Sequence, residues 1–354
     1  MKQVFFLFIL SIHQVLAAQD STVIRKWQFS GYAEGYLSWD VARPVNGRRP
    51  DFLYNFNRHG RPTLNLGLVR ASYGGEWVRG NAALAAGSYM QSNYAAEPGL
   101  YRHVLEANVG VRLSENRRWW LDVGIFPSHI GFESAIGKDN WNLTRSLLAE
   151  NSPYFESGAR VSYTSNSGKW IIAGLVLNGW QRIRIRRTHL KPSMGMQIQY
   201  KLSDKATFNY SNFLGSDEPD TARLHRLFHN VYSVVTLSDR IAMTIGFDLG
   251  MQQRWVGHRS VATWYSPVAI LRYKASEKLA IAIRMEQYRD RHSVIIPSVQ
   301  PEGFRTGGLS VNADYEVMKG WLLRMEGRWL ISQDPIYGGS KQNKALTLSS
   351  AITL

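Results

Sequence analysis

Apolar and polar side chains alternate from Gln28 to Trp39. Phe29, Gly31, Ala33, Gly35, Leu37 and Trp39 form one series, and Ser30, Tyr32, Glu34, Tyr36 and Ser38 the other. A side-chain period of two sends the series to opposite faces of a strand. The alternation returns between Ile241 and Gln252, where Ile241, Met243, Ile245, Phe247, Leu249 and Met251 share a face. It returns again from Trp321 to Ile331, where Trp321, Leu323, Met325, Trp329 and Ile331 oppose Arg324, Glu326 and Arg328. Between such stretches lie short polar turns: Ser114-Glu115-Asn116-Arg117, Ser165 to Lys169, Ser203-Asp204-Lys205, Ser238-Asp239-Arg240, Ser276-Glu277-Lys278 and Met318-Lys319-Gly320. The other ends of the stretches are joined by longer, charged, irregular segments.

Tight turns on one side, long loops on the other and strands of roughly ten residues between them predict an all-β chain, a transmembrane antiparallel β-barrel with short periplasmic turns and long extracellular loops. The pattern supports about 16 strands. Weaker alternation in the second, seventh, tenth and twelfth leaves 14 or 18 open. The third is expected over Asn81 to Met90, and in the fourth Leu105, Ala107, Val109 and Val111 are expected to face lipid. A soluble sandwich would bury an apolar second face, whereas here that face carries charges on strand after strand. A closed sheet is also the only sheet a bilayer accepts, since no water is there to satisfy an open edge.

Lys2, the apolar run Val4 to Leu10 and the small residues Ala17-Ala18 read as an export signal over residues 1–18. The barrel is then expected over 19–354. The chain has no cysteine, which excludes disulfide and zinc-thiolate chemistry. It carries 42 Lys+Arg against 27 Asp+Glu. In an exported barrel this surplus argues for no nucleic acid partner. It points instead to outer-membrane lipids, lipopolysaccharide at the rim, or anionic solutes in the lumen. Twelve Trp and seventeen Tyr fit aromatic girdles at the two membrane interfaces.

The longest internal connection, Pro127 to Glu156, carries Ile130, Phe132, Ile136, Trp141, Leu143, Leu147 and Leu148. Side chains of this kind need shelter, and the barrel interior offers it. Residues 127–156 are therefore expected to fold inward as a constriction loop, with a helical turn near Leu143 to Leu148. Glu133, Asp139, Arg145 and Glu150 would then charge the passage. Opposite them, Glu106, Arg112, Arg160, Arg284, Glu286, Arg324, Glu326 and Arg328 are expected to line the pore wall. A loop that caps the outside or meets a neighbouring subunit is the alternative.

Gly124-Ile125-Phe126, Gly131-Phe132-Glu133, Asn142, Arg145-Ser146, Pro153 and Gly158-Ala159-Arg160 resemble the OmpL-like β-barrel porin family of Bacteroidetes-type Gram-negative bacteria, best over about Trp119 to Trp180. The resemblance implies an outer-membrane porin and carries over no catalytic or ligand residues.

Other motifs carry less. His225 and His229 have the spacing of a helical metal pair, but sit where a loop enters a strand and lack a second cluster. Arg182, Arg184, Arg186 and Arg187, interleaved with Ile183 and Ile185, form a basic run suited to a vestibule, to lipopolysaccharide phosphates or simply to a solvated loop. No Gly-x-Ser-x-Gly nucleophile setting is present. The expectation is a porin for passive diffusion of small hydrophilic solutes, anion-preferring, without cofactor, metal site or enzyme activity. A barrel enzyme acting on lipid or sugar, and a plugged structural or adhesive barrel, are the alternatives. Gly- and Ala-rich first and third strands offer a flat patch for a homotrimer.

Overall fold

The computed structural model describes residues 26–116 and 118–354, so the expected export signal lies outside the described residues. Sixteen strands form one closed antiparallel barrel in which every strand pairs with its sequence neighbours. They are β1 (Lys26–Asp40), β2 (Thr63–Gly74), β3 (Val78–Ala86), β4 (Val104–Arg112), β5 (Trp119–Pro127), β6 (Phe155–Thr164), β7 (Trp170–Leu177) and β8 (Ser193–Ser203) in the first half. The second half is β9 (Ala206–Gly215), β10 (Arg226–Thr236), β11 (Ile241–Gln253), β12 (Val261–Lys274), β13 (Leu279–Asp290), β14 (Phe304–Met318), β15 (Trp321–Ile331) and β16 (Gln342–Thr353). Closure comes from β1 against β16, with Tyr32 opposite Thr353 and Asp40 opposite Ala345. No edge is left unpaired, which is what allows a sheet to stand in hydrocarbon.

The polar beat of the sequence is the tight-turn end. Aromatic pairs ring it: Trp27 against Tyr73 at 5.2 Å, Trp119 against Tyr163 at 4.8 Å and Trp170 stacked on Tyr200 at 4.3 Å between ring centroids. The outward series is exposed, with Phe29, Val69, Val109, Ile245 and Met325 among its members. The inward series is buried and polar, as in Glu34, Ser38, Asn209, Asn230, Arg284 and Glu326.

Two local expectations differ from the structure. The third strand stops at Ala86 instead of reaching Met90. Gly87 takes φ 129°, and a Cβ there would come within 2.3 Å of the Asn65 carbonyl oxygen. Only glycine fits, the ladder ends, and Ser88–Asn93 forms a short helix, α1, with Tyr89 and Met90 buried. Leu105 does not face lipid. The β3–β4 register shifts between Ala83 and Leu84, and Leu105 is buried in a cluster with Ala83, Tyr94 and Phe155.

Candidate functional site

The segment between β5 and β6 folds into the barrel. Its apolar members are sheltered as their chemistry requires: Ile130, Ile136, Leu143, Leu147 and Leu148 are buried. Each such leucine or isoleucine stabilises the inward fold by about 1.5–3 kcal/mol. The helical turn lies at Leu147–Glu150, as α2, slightly later than the sequence suggests. Its start is set by the Ser146 hydroxyl, which accepts from the Ala149 backbone N–H at 3.2 Å.

Irregular backbone inside a lumen leaves N–H and C=O groups that need partners. The wall supplies them. Asn312 accepts from the Leu143 N–H at 3.0 Å, Glu326 from the Thr144 N–H at 2.5 Å, and Glu286 from the Leu147 N–H at 2.6 Å. Arg284 donates to the Thr144 carbonyl at 2.6 Å. Arg324 donates to the carbonyls of Gly137 and Asn140 at 2.6 and 2.8 Å. On other sides of the barrel, Asn230 accepts from the Gly131 N–H and the Tyr32 hydroxyl from the Lys138 N–H. The loop is thus tied to β1, β10, β13, β14 and β15.

Its neck is closed by His129. One ring nitrogen, Nδ1, faces the Glu156 carboxylate at 2.8 Å, and the other, Nε2, the Asn212 carbonyl at 2.7 Å. Both neighbours are acceptors, an arrangement that favours the imidazolium, in which both ring nitrogens donate. Burial alone would depress its pKa; the Glu156 charge and hydrogen bond, with the Asn212 carbonyl, raise it overall.

The four loop charges sit in different surroundings. Arg145 is fully buried and donates to the carbonyls of Leu143 and Ala135 within its own loop. Glu150 is also buried. It accepts from the backbone N–H groups of Tyr54 and Asn55 and from the Asn55 side chain at 2.8–3.3 Å, joining the loop to the β1–β2 connection. Burial pushes its pKa up to about 7, in spite of those hydrogen bonds and the nearby Arg328. Glu133 turns onto the Ser146 hydroxyl and N–H. Asp139, paired with Lys138 at 3.0 Å, keeps a partly exposed side chain. Arg145 and Glu150 therefore hold the loop's shape and do not present charge to the passage, because a buried charge here is matched by protein groups instead of water.

The wall divides in two. Arg284, Glu286, Arg324, Glu326 and Arg328 point inward as the alternation predicts, but the loop roofs them. Their side chains are 0–2 % exposed and form Arg284–Glu326, Arg328–Glu286 and Arg324–Asp314 pairs at 3.0, 2.7 and 2.7 Å, with the Asp314 side chain 10 % exposed. On the opposite arc, Arg70 pairs with Glu106 at 3.1 Å. Asp122 is shared by Arg79 and Arg160 at 2.6 and 3.2 Å. These three arginines are 20, 25 and 19 % exposed in their side chains, so this arc faces lumen water. Arg112 stacks on Trp77 near the tight-turn end, its guanidinium 3.7 Å from the ring centroid, and is buried.

Asn230, Asn312, Tyr32 and the His129–Glu156 pair were not singled out from the sequence. Alternation marks Asn230, Asn312 and Tyr32 as inward, but nothing local tells which inward amide meets a loop N–H. His229 bonds the Tyr210 hydroxyl at 2.8 Å. Among the described residues no group of three His, Cys, Asp or Glu could hold a metal ion.

A profile of the beta-barrel porin-2, OmpL-like family matches residues 26–354. No curated protein matches the chain in sequence. Among solved structures, the chain resembles an anion-selective porin from Comamonas acidovorans, with TM-score 0.62, 9 % identity, and coverage of 94 % of this chain and 100 % of the other. It resembles the outer membrane channel DcaP of Acinetobacter baumannii with TM-score 0.60, 10 % identity, and coverage of 95 % and 99 %. OmpT of Vibrio cholerae, described in a trimer form, gives TM-score 0.56, 9 % identity, and coverage of 93 % and 99 %. At such identities the likeness concerns the fold.

Proposed function

The chain belongs to the beta-barrel porin-2, OmpL-like family of Gram-negative outer membranes, and from that premise we propose passive diffusion of small hydrophilic solutes with a preference for anions. The division of the wall supports this reading most directly. The covered half is neutralised pair by pair and fixed to the loop, while the solvated half carries Arg70, Arg79 and Arg160 against Glu106 and Asp122. Water in that half meets more positive than negative charge, and a charged constriction wall sets ion preference.

The loop of residues 127–156 is the proposed constriction. It narrows the lumen by its bulk, with Asp139 and Lys138 as the loop charges nearest water. The chain is read as a channel and not an enzyme, because the wall carboxylates Glu106, Asp122, Glu286, Asp314 and Glu326 each pair with an arginine instead of with one another. A homotrimer through the outer faces of β1 and β3, where Gly31, Ala33, Gly35, Ala82 and Ala86 allow close approach, is proposed alongside. Exposed Arg254 and Arg259 in the 254–260 loop are proposed to meet lipopolysaccharide phosphates. Reversal potential across a planar bilayer under a KCl gradient tests the ion preference. A sign set by chloride supports it, and a sign set by potassium contradicts it.

A further inference from the structure

Above the inner loop, on its extracellular side, lies a cavity of about 620 Å³. Glu150, Asn151 and Ser152 border it below, and arginines of the 178–192 connection line it. The backbone there is fixed. The Ile183 N–H donates to Glu97 at 2.8 Å, Asn178 donates to the Ile183 carbonyl at 2.7 Å, and Gln181 accepts from the Tyr154 N–H at 2.9 Å. Ile183 is buried, and with it as an anchor the arginines beside it are displayed toward the cavity.

The charge there is not balanced. Arg182 and Arg226 share one carboxylate, Asp217, at 3.7 and 2.5 Å. Glu97 and Glu150 also line the cavity, but Glu97 turns its oxygens to the N–H groups of Ile183 and Arg184, and Glu150 its own to Tyr54 and Asn55. Arg184, Arg186 and Arg187 are exposed and have no ion pair among the described residues. Several guanidinium groups around one concave space repel each other, and an anion that touches more than one of them relieves that repulsion. Guanidinium forks also match carboxylate and phosphate oxygens two at a time. A lone inorganic ion would leave most of the volume empty, whereas small-molecule sites span roughly 300–1,000 Å³. Trp180, Pro98, Val294 and Ile295 supply an apolar side to the same space.

We infer that this vestibule is a binding site for a soluble organic anion that carries at least two anionic oxygen groups on a ring-sized body, held by Arg184, Arg186 and Arg187. The solute is captured before the constriction, which raises its local concentration at the mouth. Membrane-anchored phosphate is the other source of this chemistry. The cavity is bordered by the inner loop and Tyr54, so it lies within the mouth and away from the lipid-facing wall. The inference rests on the channel reading only for how the ligand arrives. Binding is read without a current, so its failure is distinguishable from failure of the channel.

Isothermal calorimetry of the folded, detergent-solubilised protein tests it, with fructose 1,6-bisphosphate as probe, fructose as the neutral control and lipid A micelles as the membrane source. The bisphosphate is expected to bind saturably and fructose not at all. The triple variant Arg184→Gln/Arg186→Gln/Arg187→Gln should weaken binding at least about tenfold, and Arg48→Gln/Arg61→Gln, with two exposed charges removed from the β1–β2 connection, should leave it within about twofold. If the triple variant does not fold, Arg184→Gln alone should weaken binding about threefold. No saturable binding, equal binding by the arginine variants, or lipid A binding in place of the bisphosphate would overturn the inference.

Discussion

Arg284 on β13 reaches past β14 to donate to Glu326 on β15 at 3.0 Å, and neither side chain is accessible to water. The same carboxylate accepts from the Thr144 hydroxyl at 2.8 Å and from its N–H. One wall pair therefore holds a loop more than a hundred residues away in sequence. A buried pair of this kind contributes little net stability compared with an apolar replacement, but loss of one member leaves an uncompensated charge.

Replacement of Glu326 with Ala removes the acceptor for Thr144 and leaves Arg284 with Glu286 as its neighbouring carboxylate. The expected cost is about 3–5 kcal/mol in urea unfolding, by the general behaviour of broken buried pairs. The released loop should also produce frequent current fluctuations in single-channel records. A variant as stable and as quiet as the parent would show that this pair does not hold the loop.

Two loop groups make the inner assembly tighter at low pH. Glu150 sits at about 7 in the fold against an ordinary value of 4.5, so its protonated form is the one favoured by folding. Its stabilisation is complete below the ordinary value and is lost as pH rises through about 7; two and a half pKa units correspond to about 3 kcal/mol. His129 is also raised above its ordinary 6.5, so its contribution is present below that value and fades above it. Thermal midpoints in detergent should therefore fall from pH 5 to pH 8. In Glu150→Gln the slope between pH 5 and 7 should flatten. An unchanged slope in that variant would assign the pH dependence elsewhere.

At the base of the loop, Gly158 takes φ 155°, and a Cβ there would lie 2.0 Å from the Val176 carbonyl oxygen. The obstacle is backbone of β7, which cannot swing away as a side chain can. Gly158→Ala should fail to give a heat-modifiable folded band on gels, or give one that melts far below the parent. Normal assembly would mean that the β6–β7 ladder shifts freely there.

The barrel was legible because each strand writes its lipid and lumen faces as alternate residues. Phe29 and Tyr32, or Met325 and Glu326, tell inside from outside without knowledge of any neighbour. The break at Gly87 was not legible, since Ser88-Tyr89-Met90 continues an alternation that only the φ of Gly87 ends. Leu105 was misassigned to lipid for a related reason: Ala83 pairs with Glu106 and Leu84 with Val104, so Leu105 is the extra residue of a bulge on β4 and turns inward, which the alternation around it does not record. The inward loop was legible from its apolar content. The fates of Arg145 and Glu150 were not, because whether a charge meets water or a backbone carbonyl is decided by residues such as Asn55 and Ala135, which the chain brings together only on folding.

The central claim is a conducting barrel narrowed by an inward loop. Single-channel conductance of the refolded protein in a planar bilayer, compared with a variant lacking residues 134–150, tests it most directly. The account predicts steady conductance for the parent and a larger, less ion-selective conductance for the deletion. A correctly folded parent that passes no current, or a deletion with unchanged conductance and selectivity, would contradict it.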